Sequence, residues 1–248
     1  MSIESIYNTV SSLELEKAKH RILAENIAAS DLTGFKKKFI ISENAATKEH
    51  ELAGIKSSET KIDFSQGNIK YTDRALDFAI HGEGFFEVKN SQNQSLYTRN
   101  GAFLINKDRK LVTSEGFTVE GDNGEIIFNE NDQIQNIEVS TNGLIKVLNN
   151  GTGVSKYRIV GRINVVQIQN KQDMKRLTGN YFNATSNLKQ YREEQPFIVK
   201  NKALETSNVK PIFAMAEMVE SSRMFETGQK LMKMLEDRYQ AERRNMVD

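Results

Sequence analysis

Residues 73–88 read DRALDFAIHGEGFFEV. The stretch carries two interpretations. In one, Asp77, His81 and Glu83 gather beside a Gly-x-Gly as a small acid–base site, since on an extended strand Asp77 and His81 share a face. In the other, Leu76, Phe78 and Ile80 alternate with Asp77, Ala79 and His81, and Phe86 and Val88 continue the period of two beyond the glycines. The glycines then mark a turn or bulge between strands. The alternation favours the second interpretation. It puts Leu76, Phe78, Ile80, Phe86 and Val88 on a buried face and leaves Asp77, His81 and Glu83 on a solvated one. The Gly-Glu-Gly is not a dinucleotide fingerprint, because the third glycine is missing and Phe85-Phe86-Glu87-Val88 continues as strand without opening a helix.

Moving outward, turn signals recur every 8 to 20 residues. Ser95–Arg99 (SLYTR) is a strand candidate followed by Asn100-Gly101, a hairpin signal. A charged turn at Lys107–Lys110, then Glu115-Gly116, Asp122-Asn123-Gly124 and Asn142-Gly143, continue the series. Residues 161–168, GRINVVQI, are the most apolar strand candidate. This spacing predicts an antiparallel β domain over 63–170. Residues 36–62 and 171–209 are polar and weakly patterned, and are expected to be connectors.

The ends of the chain have helical spacing. Over residues 1–35, Ile3, Ile6, Val10 and Leu13 share one face, Lys17 and His20 interrupt it, and Ala24 and Ile27 resume it. Thr33-Gly34 stops the helix, with Gly34 expected in the left-handed conformation. A second helix over 210–248 begins with Pro211 in its first turn. Met218, Phe225, Met232 and Tyr239 recur every seventh residue, and Leu231 and Leu235 widen the stripe. The fold class is therefore α+β: a mainly antiparallel β domain flanked by terminal helices that pair in a coiled-coil-like assembly. Burial of each stripe residue contributes roughly 1.5–3 kcal/mol, whereas ordering each backbone residue costs about 1–2 kcal/mol. A helix with one such stripe is marginal alone in water. Its partner is the other helix, the sheet, or another subunit.

Composition removes several function classes. Lys and Arg number 34 against 33 Asp and Glu, a net charge of +1 that argues against nucleic-acid binding. The chain has no cysteine, which excludes disulfides, thiol catalysis and cysteine metal sites. His20, His50 and His81 lie in separate regions with no metal-ligand spacing. No segment approaches the roughly 20 apolar residues of a membrane span. The N-terminus lacks the apolar h-region of a secretory signal peptide. No Gly-x-Ser-x-Gly, Ser-x-x-Lys or Walker pattern is present, so no enzyme class gains support and no cofactor is expected.

Three blocks carry a resemblance to a known family. The first is AENIAASDLTGFKKKF, residues 24–39, in which Asn26, Ala28, Thr33, Gly34, Phe35 and Lys36 match, while Glu25, Ala29 and Asp31 replace asparagines. The second runs from DFSQGNIKYTDRALDFAIHGEGFFEV through LYTRNGAF, LVTSEGFTVEG and STNGLIKV, with Arg109 at a usual turn glycine. The third, ALETSNVKPIFAMAEMVESSRMFETGQKLMKMLED, resembles a Leu-Glu-x-Ser-Asn-Val lead into a final helix. Together they resemble the axial rod and hook proteins of the bacterial flagellum, most of all the basal-body rod proteins.

The resemblance implies a structural, non-enzymatic subunit of a torque-transmitting rod. Terminal helices would form an inner tube and β domains an outer shell. It implies export through the flagellum's own type III apparatus, without a cleaved signal peptide, to the periplasmic part of the basal body. Implied partners are further copies, other rod and hook proteins, the export apparatus and ring proteins, with no nucleic acid and no membrane insertion. The implied assembly residues are Ile3, Ile6, Val10, Leu13, Ala24, Asn26 and Ile27 on the first helix. On the last they are Asn208, Val209, Met218, Phe225, Leu231, Met232, Leu235 and Tyr239. Thr33, Gly34, Phe35 and Lys36 form a motif between them. The Arg-Met-Phe-Glu pattern and the short connector favour a proximal rod protein. A distal rod or hook-type subunit is the alternative, and a β-domain ligand binder or hydrolase using the His81 region is the reading from another class.

Overall fold

The computed structural model describes residues 3–44, 55–149, 156–171, 174–184, 188–190 and 197–245. The chain divides into two compact units. The helical unit takes Met1–Ser30, Lys37–Asp63 and Val209–Asp248, and the β unit takes Asp31–Lys36 and Phe64–Asn208.

In the helical unit, α1 (Ile3–Ala28) and α2 (Pro211–Asn245) lie against each other. Pro211 opens α2 at a position whose N–H a helix leaves unpaired in any case. The antiparallel ribbon β1 (Lys38–Asn44) and β2 (Ile55–Ile62) has Lys38 opposite Ile62 and packs on α1. The stretch 36–62, expected to be a connector, therefore carries a paired ribbon. Its backbone groups are satisfied across two strands too polar to announce themselves by periodicity.

The β unit begins with β3 (Ile69–Tyr71), β4 (Phe78–Gly82), β5 (Phe85–Lys89), β6 (Ser95–Thr98) and β7 (Leu104–Ile105). The short strands β8 (Leu111–Val112), β9 (Thr118–Gly121) and β10 (Gly124–Glu125) lead into a meander of β11 (Asp132–Val139), β12 (Leu144–Asn149) and β13 (Lys156–Arg162). Then come β14 (Val165–Ile168), β15 (Met174–Arg176), β16 (Tyr181–Ala184), β17 (Leu188–Gln190), β18 (Phe197–Asn201) and β19 (Ala203–Glu205). Among the described residues the largest sheet runs β15-β16-β6-β5-β9-β8-β7, with β10 on β9 and β14 joining β5 to β17. β18 pairs antiparallel with β4, and β19 with β3. The expected connector 171–209 thus supplies five strands among the described residues, and two of them close the pairs with β3 and β4.

Phe78, Ile80, Phe86 and Val88 sit in the core as the alternation requires, with Leu76 packed partly against it. Part of the other face, at Asp77, Ala79 and Phe85, is buried too, while His81 is exposed. Phe85 stacks edge-on against Phe64 and Phe182, with centroids 5.7 and 6.0 Å away. Asp77, expected at the surface, is 1% exposed. The cost of burying its carboxylate is offset by the Thr72 hydroxyl, donating at 2.8 Å, and by Arg74, whose Nε lies 3.6 Å away. The glycines do not close a hairpin between β4 and β5, which lie in different sheets. Gly82 and Gly84, with φ of 106° and 127°, turn a corner from one sheet into the other.

Gly116, Gly124 and Gly143 turn the hairpins β8–β9, β9–β10 and β11–β12 with positive φ, as their turn signals imply. Asn100-Gly101 does not make a hairpin, since β6 pairs with β5 and β16 while β7 pairs with β8. Gly101 instead lets two backbones cross: its carbonyl accepts from Phe78 N at 3.0 Å, and a Cβ there would lie 1.8 Å from Phe78 O. In the charged turn, Arg109 adopts φ 62°, a left-handed conformation that glycine takes at lower cost. Arg109→Gly and Arg109→Ala both lose the guanidinium bond to the Asn129 carbonyl, so the glycine variant should be the more stable by about 1 kcal/mol. Urea midpoints of the two variants measure this, and coincident midpoints would refute it.

Candidate functional site

Thr33-Gly34-Phe35-Lys36 runs through the β unit with every residue held. The Thr33 carbonyl accepts from the Asn180 side chain. Gly34 N donates to Glu205 O at 2.7 Å. Gly34 has φ 67°, and a Cβ on it would stand 2.5 Å from the carbonyl carbon of Arg99, so only glycine fits. The Arg176 guanidinium lies over the Phe35 ring, 4.2 Å from its centroid, and also donates to Lys36 O.

Lys36 ends this run in a buried ion triad. Its Nζ donates to Glu205 Oε1 at 2.6 Å and to Ser65 O at 2.7 Å. Glu205 Oε2 accepts from Arg99 Nη1 at 3.1 Å, and Oε1 also accepts from Gly67 N at 2.9 Å. Arg99 Nη2 reaches Gly82 O at 2.8 Å, and the guanidinium lies over Phe85. Lys36 and Glu205 are fully buried and Arg99 is 4% exposed. Burial pulls the Arg99 guanidinium below its ordinary value, and the Glu205 carboxylate opposes that shift. One carboxylate thus neutralises two cations in part, and the Ser65 and Gly82 carbonyls solvate the excess positive charge. The triad joins segments 169 and 106 residues apart in sequence.

The two places where the chain leaves the β unit are tied together beside this triad. Asn208 N donates to Phe35 O at 3.2 Å, and Asn208 Nδ2 donates to Ser65 O and Oγ, each at 3.1 Å. The arrangement offers neither an open coordination site nor a proton to transfer. Its chemistry is that of a clamp.

In the helical unit, Asn26 is buried and brackets the start of β1, donating from Nδ2 to Lys38 O at 2.8 Å and accepting from Lys38 N at 2.9 Å. Leu13 is half-buried against Gly228, Ala24 and Ile27 are half-buried, and Val10 is exposed. The side chains of Ile3 and Ile6 lie outside the described residues. Ile22 and Leu23, absent from the predicted stripe, are buried. On α2, Met218, Phe225, Met232 and Leu235 are half-buried, Val209 just before the helix is buried, and Leu231 and Tyr239 are exposed.

The acid–base residues are not assembled into a site. Asp77 is committed to Thr72 and Arg74. His81 is exposed, across the ladder from Ile198. Glu83 accepts from Lys171 at 3.0 Å and from Gln167, which together hold its carboxyl below the usual range and make it a poor general acid.

Comparison with known proteins places this geometry. The flagellar hook protein FlgE/F/G D1 domain matches residues 79–147, and the flagellar basal body rod FlgEFG protein C-terminal region matches residues 200–242. The flagellar basal-body rod protein FlgF of Buchnera aphidicola (subspecies Schizaphis graminum) is 27% identical over 242 residues, covering 93% of each chain. FlgF of Escherichia coli K12 is 26% identical, covering 94% of each. FlgG of Bacillus subtilis 168 is 25% identical, covering 92% of this chain and 94% of its own. The chain is thus similar to flagellar basal-body rod proteins over nearly its whole length.

Within this chain, Arg99 falls in the first matched region and Glu205 in the second, while Lys36 lies outside both. Sequence reasoning placed Lys36 in a motif but singled out neither Arg99 nor Glu205. Both lie in the blocks LYTRNGAF and ALETSNV that carry the resemblance, but locally each is only a charge at the end of a strand-like run. Glu205→Gln removes the carboxylate to which both buried cations bond and should destabilise the β unit by about 3–5 kcal/mol. Lys36→Met keeps the Arg99–Glu205 pair and should cost clearly less. Urea denaturation followed by β-sheet circular dichroism ranks the two, and a Lys36→Met variant as unstable as Glu205→Gln would refute the shared-carboxylate account.

Proposed function

We propose that this chain is a structural, non-enzymatic subunit of the flagellar rod that polymerises through its terminal helices in a coiled-coil-like packing. The observation that carries this is the outer surface of α2. With one face turned to α1, the helix still exposes Ile212 (81%), Phe213 (66%), Met215 (52%), Val219 (54%), Met224 (57%) and Met234 (61%). A helix with apolar residues around its circumference is a buried helix, and burying each of these side chains is worth roughly 1.5–3 kcal/mol. Helices of further copies, and of other rod and hook proteins, are the partners that cover it. Leu231 and Tyr239, exposed as well, extend the surface toward the C-terminus.

The relatives named as basal-body rod proteins support a place in the basal body; within it, the periplasmic rod, its proximal part ahead of the distal, is the location proposed from the sequence motifs. Export by the flagellar type III apparatus and contact with ring proteins accompany that reading. In this assembly the helix packing carries torque along the axis. A strain lacking the chain should be non-motile. Replacing Ile212 and Met215 together by glutamate should leave the β unit's stability within about 0.5 kcal/mol, because both side chains are exposed in the single chain, yet abolish incorporation into basal bodies and motility. Full motility of that variant would sink the helical assembly model.

A further inference from the structure

The face of α2 that meets α1 is unusual in its small residues. Ala214, Met218, Ser221, Phe225, Gly228, Met232 and Leu235, all buried or half-buried, follow an alternation of four and three, with half-buried Ser222 beside Ser221. One half of that seam is large, at Met218, Phe225 and Met232. The other half reads Ala214, Ser221, Gly228, Leu235, with no two alike. Two of these four meet α1 through specific atoms. A Cβ on Gly228 would lie 2.6 Å from Leu13 Cδ2, so Leu13 fills the space that glycine leaves. One turn further along α1, Ser221 Oγ, 3% exposed as a residue, donates to Glu16 Oε2 at 2.8 Å and lies 3.3 Å from Glu16 O. Residue 13 sits by 228 and residue 16 by 221, so the helices run antiparallel.

We infer that Gly228 and Ser221 form a two-point code by which α2 selects the Leu13–Glu16 turn of its own α1 in a single register. A heptad repeat by itself leaves slips of seven residues open. Sliding α2 one way puts Leu235 opposite Leu13 and Gly228 opposite Glu16: the first overfills the contact, and the second removes the donor from a carboxylate whose side chain is only 15% exposed. Sliding it the other way puts Ser221 opposite Leu13 and Ala214 opposite Glu16, and again both contacts fail. Lys19, at 3.2 Å, is a further partner of Glu16, but it lies on α1 and moves with it, so it does not discriminate between registers. The inference rests on contacts inside the helical unit and does not depend on the rod reading.

The absence of native cysteine permits a direct test in the full-length chain. Leu13→Cys/Gly228→Cys should oxidise to a looped monomer about tenfold faster than the slipped pairs Leu13→Cys/Ser221→Cys and Leu13→Cys/Leu235→Cys. A second reporter, Glu16→Cys/Ser221→Cys, should cross-link efficiently, lose that cross-link when Gly228→Leu is added, and regain it when Leu13→Ala makes room for the new leucine. Equal rates for native and slipped pairs, an undiminished cross-link in the Gly228→Leu background, failure of Leu13→Ala to restore it, or disulfide-linked dimers in place of looped monomers would each overturn the inference. Motility enters none of these readouts, so their outcome is separate from that of the rod proposal.

Discussion

Glu205 held between Lys36 and Arg99 is the interaction on which the β unit depends. A buried charge is tolerated only when paired and hydrogen-bonded. Two cations around one carboxylate make the condition stricter, since both bond to it. The need to bring Glu205 to Lys36 and Arg99 explains several neighbouring features. β19 pairs with β3 and β18 with β4, so the last strands of the unit complete its first. Gly34 must be left-handed and bare to pass Arg99 while its N–H reaches the Glu205 carbonyl. The Gly67 N–H takes up the remaining demand of Oε1. Such a triad adds little net stability over a well-packed apolar cluster. What it supplies is discrimination, because a misplaced strand would leave a charge unpaired in the interior.

The helical unit solves a different problem with different means. α2 is too polar in parts and too apolar all round to be stable by itself. Its small positions, Ser221 and Gly228, let α1 approach closely, so that dispersion contacts accumulate along the seam. The large exposed side chains are left for partners. Division of one helix into a coded inner face and an apolar outer face suits the proposed assembly, in which the chain first recognises its own α1 and then other copies.

Much of this was legible in local sequence. The period of two in LDFAI and FFEV places Phe78, Ile80, Phe86 and Val88 in the core, because one-sided burial leaves that pattern wherever a strand has one apolar face. Asp77 escaped it, since its position is also buried, with the Thr72 hydroxyl donating to Oδ2 and Arg74 Nε 3.6 Å from Oδ1. Asn100-Gly101 looks like a hairpin because asparagine and glycine favour positive φ, but Gly101 is there for the close passage of Phe78. The strands in 38–62 and 174–205 escaped because they are short or polar and are defined by their partners. The heptad of Met218, Phe225 and Met232 was visible; the alternate set of Ala214, Ser221 and Gly228 was not, because small residues carry no hydrophobic signal.

The sequence by itself determined the order of elements, helix then strands then helix, the inward residues of the stretch at 76–88, the turn glycines at 116, 124 and 143, and the resemblance to the rod proteins. These follow from φ preferences and periodicities that act over a few residues. Only the tertiary structure decided that Glu205 is shared by Lys36 and Arg99, that Asn208 is tied to Phe35, and that Leu13 meets Gly228. Those contacts join residues more than a hundred apart, and no local preference of either partner encodes where the other will be.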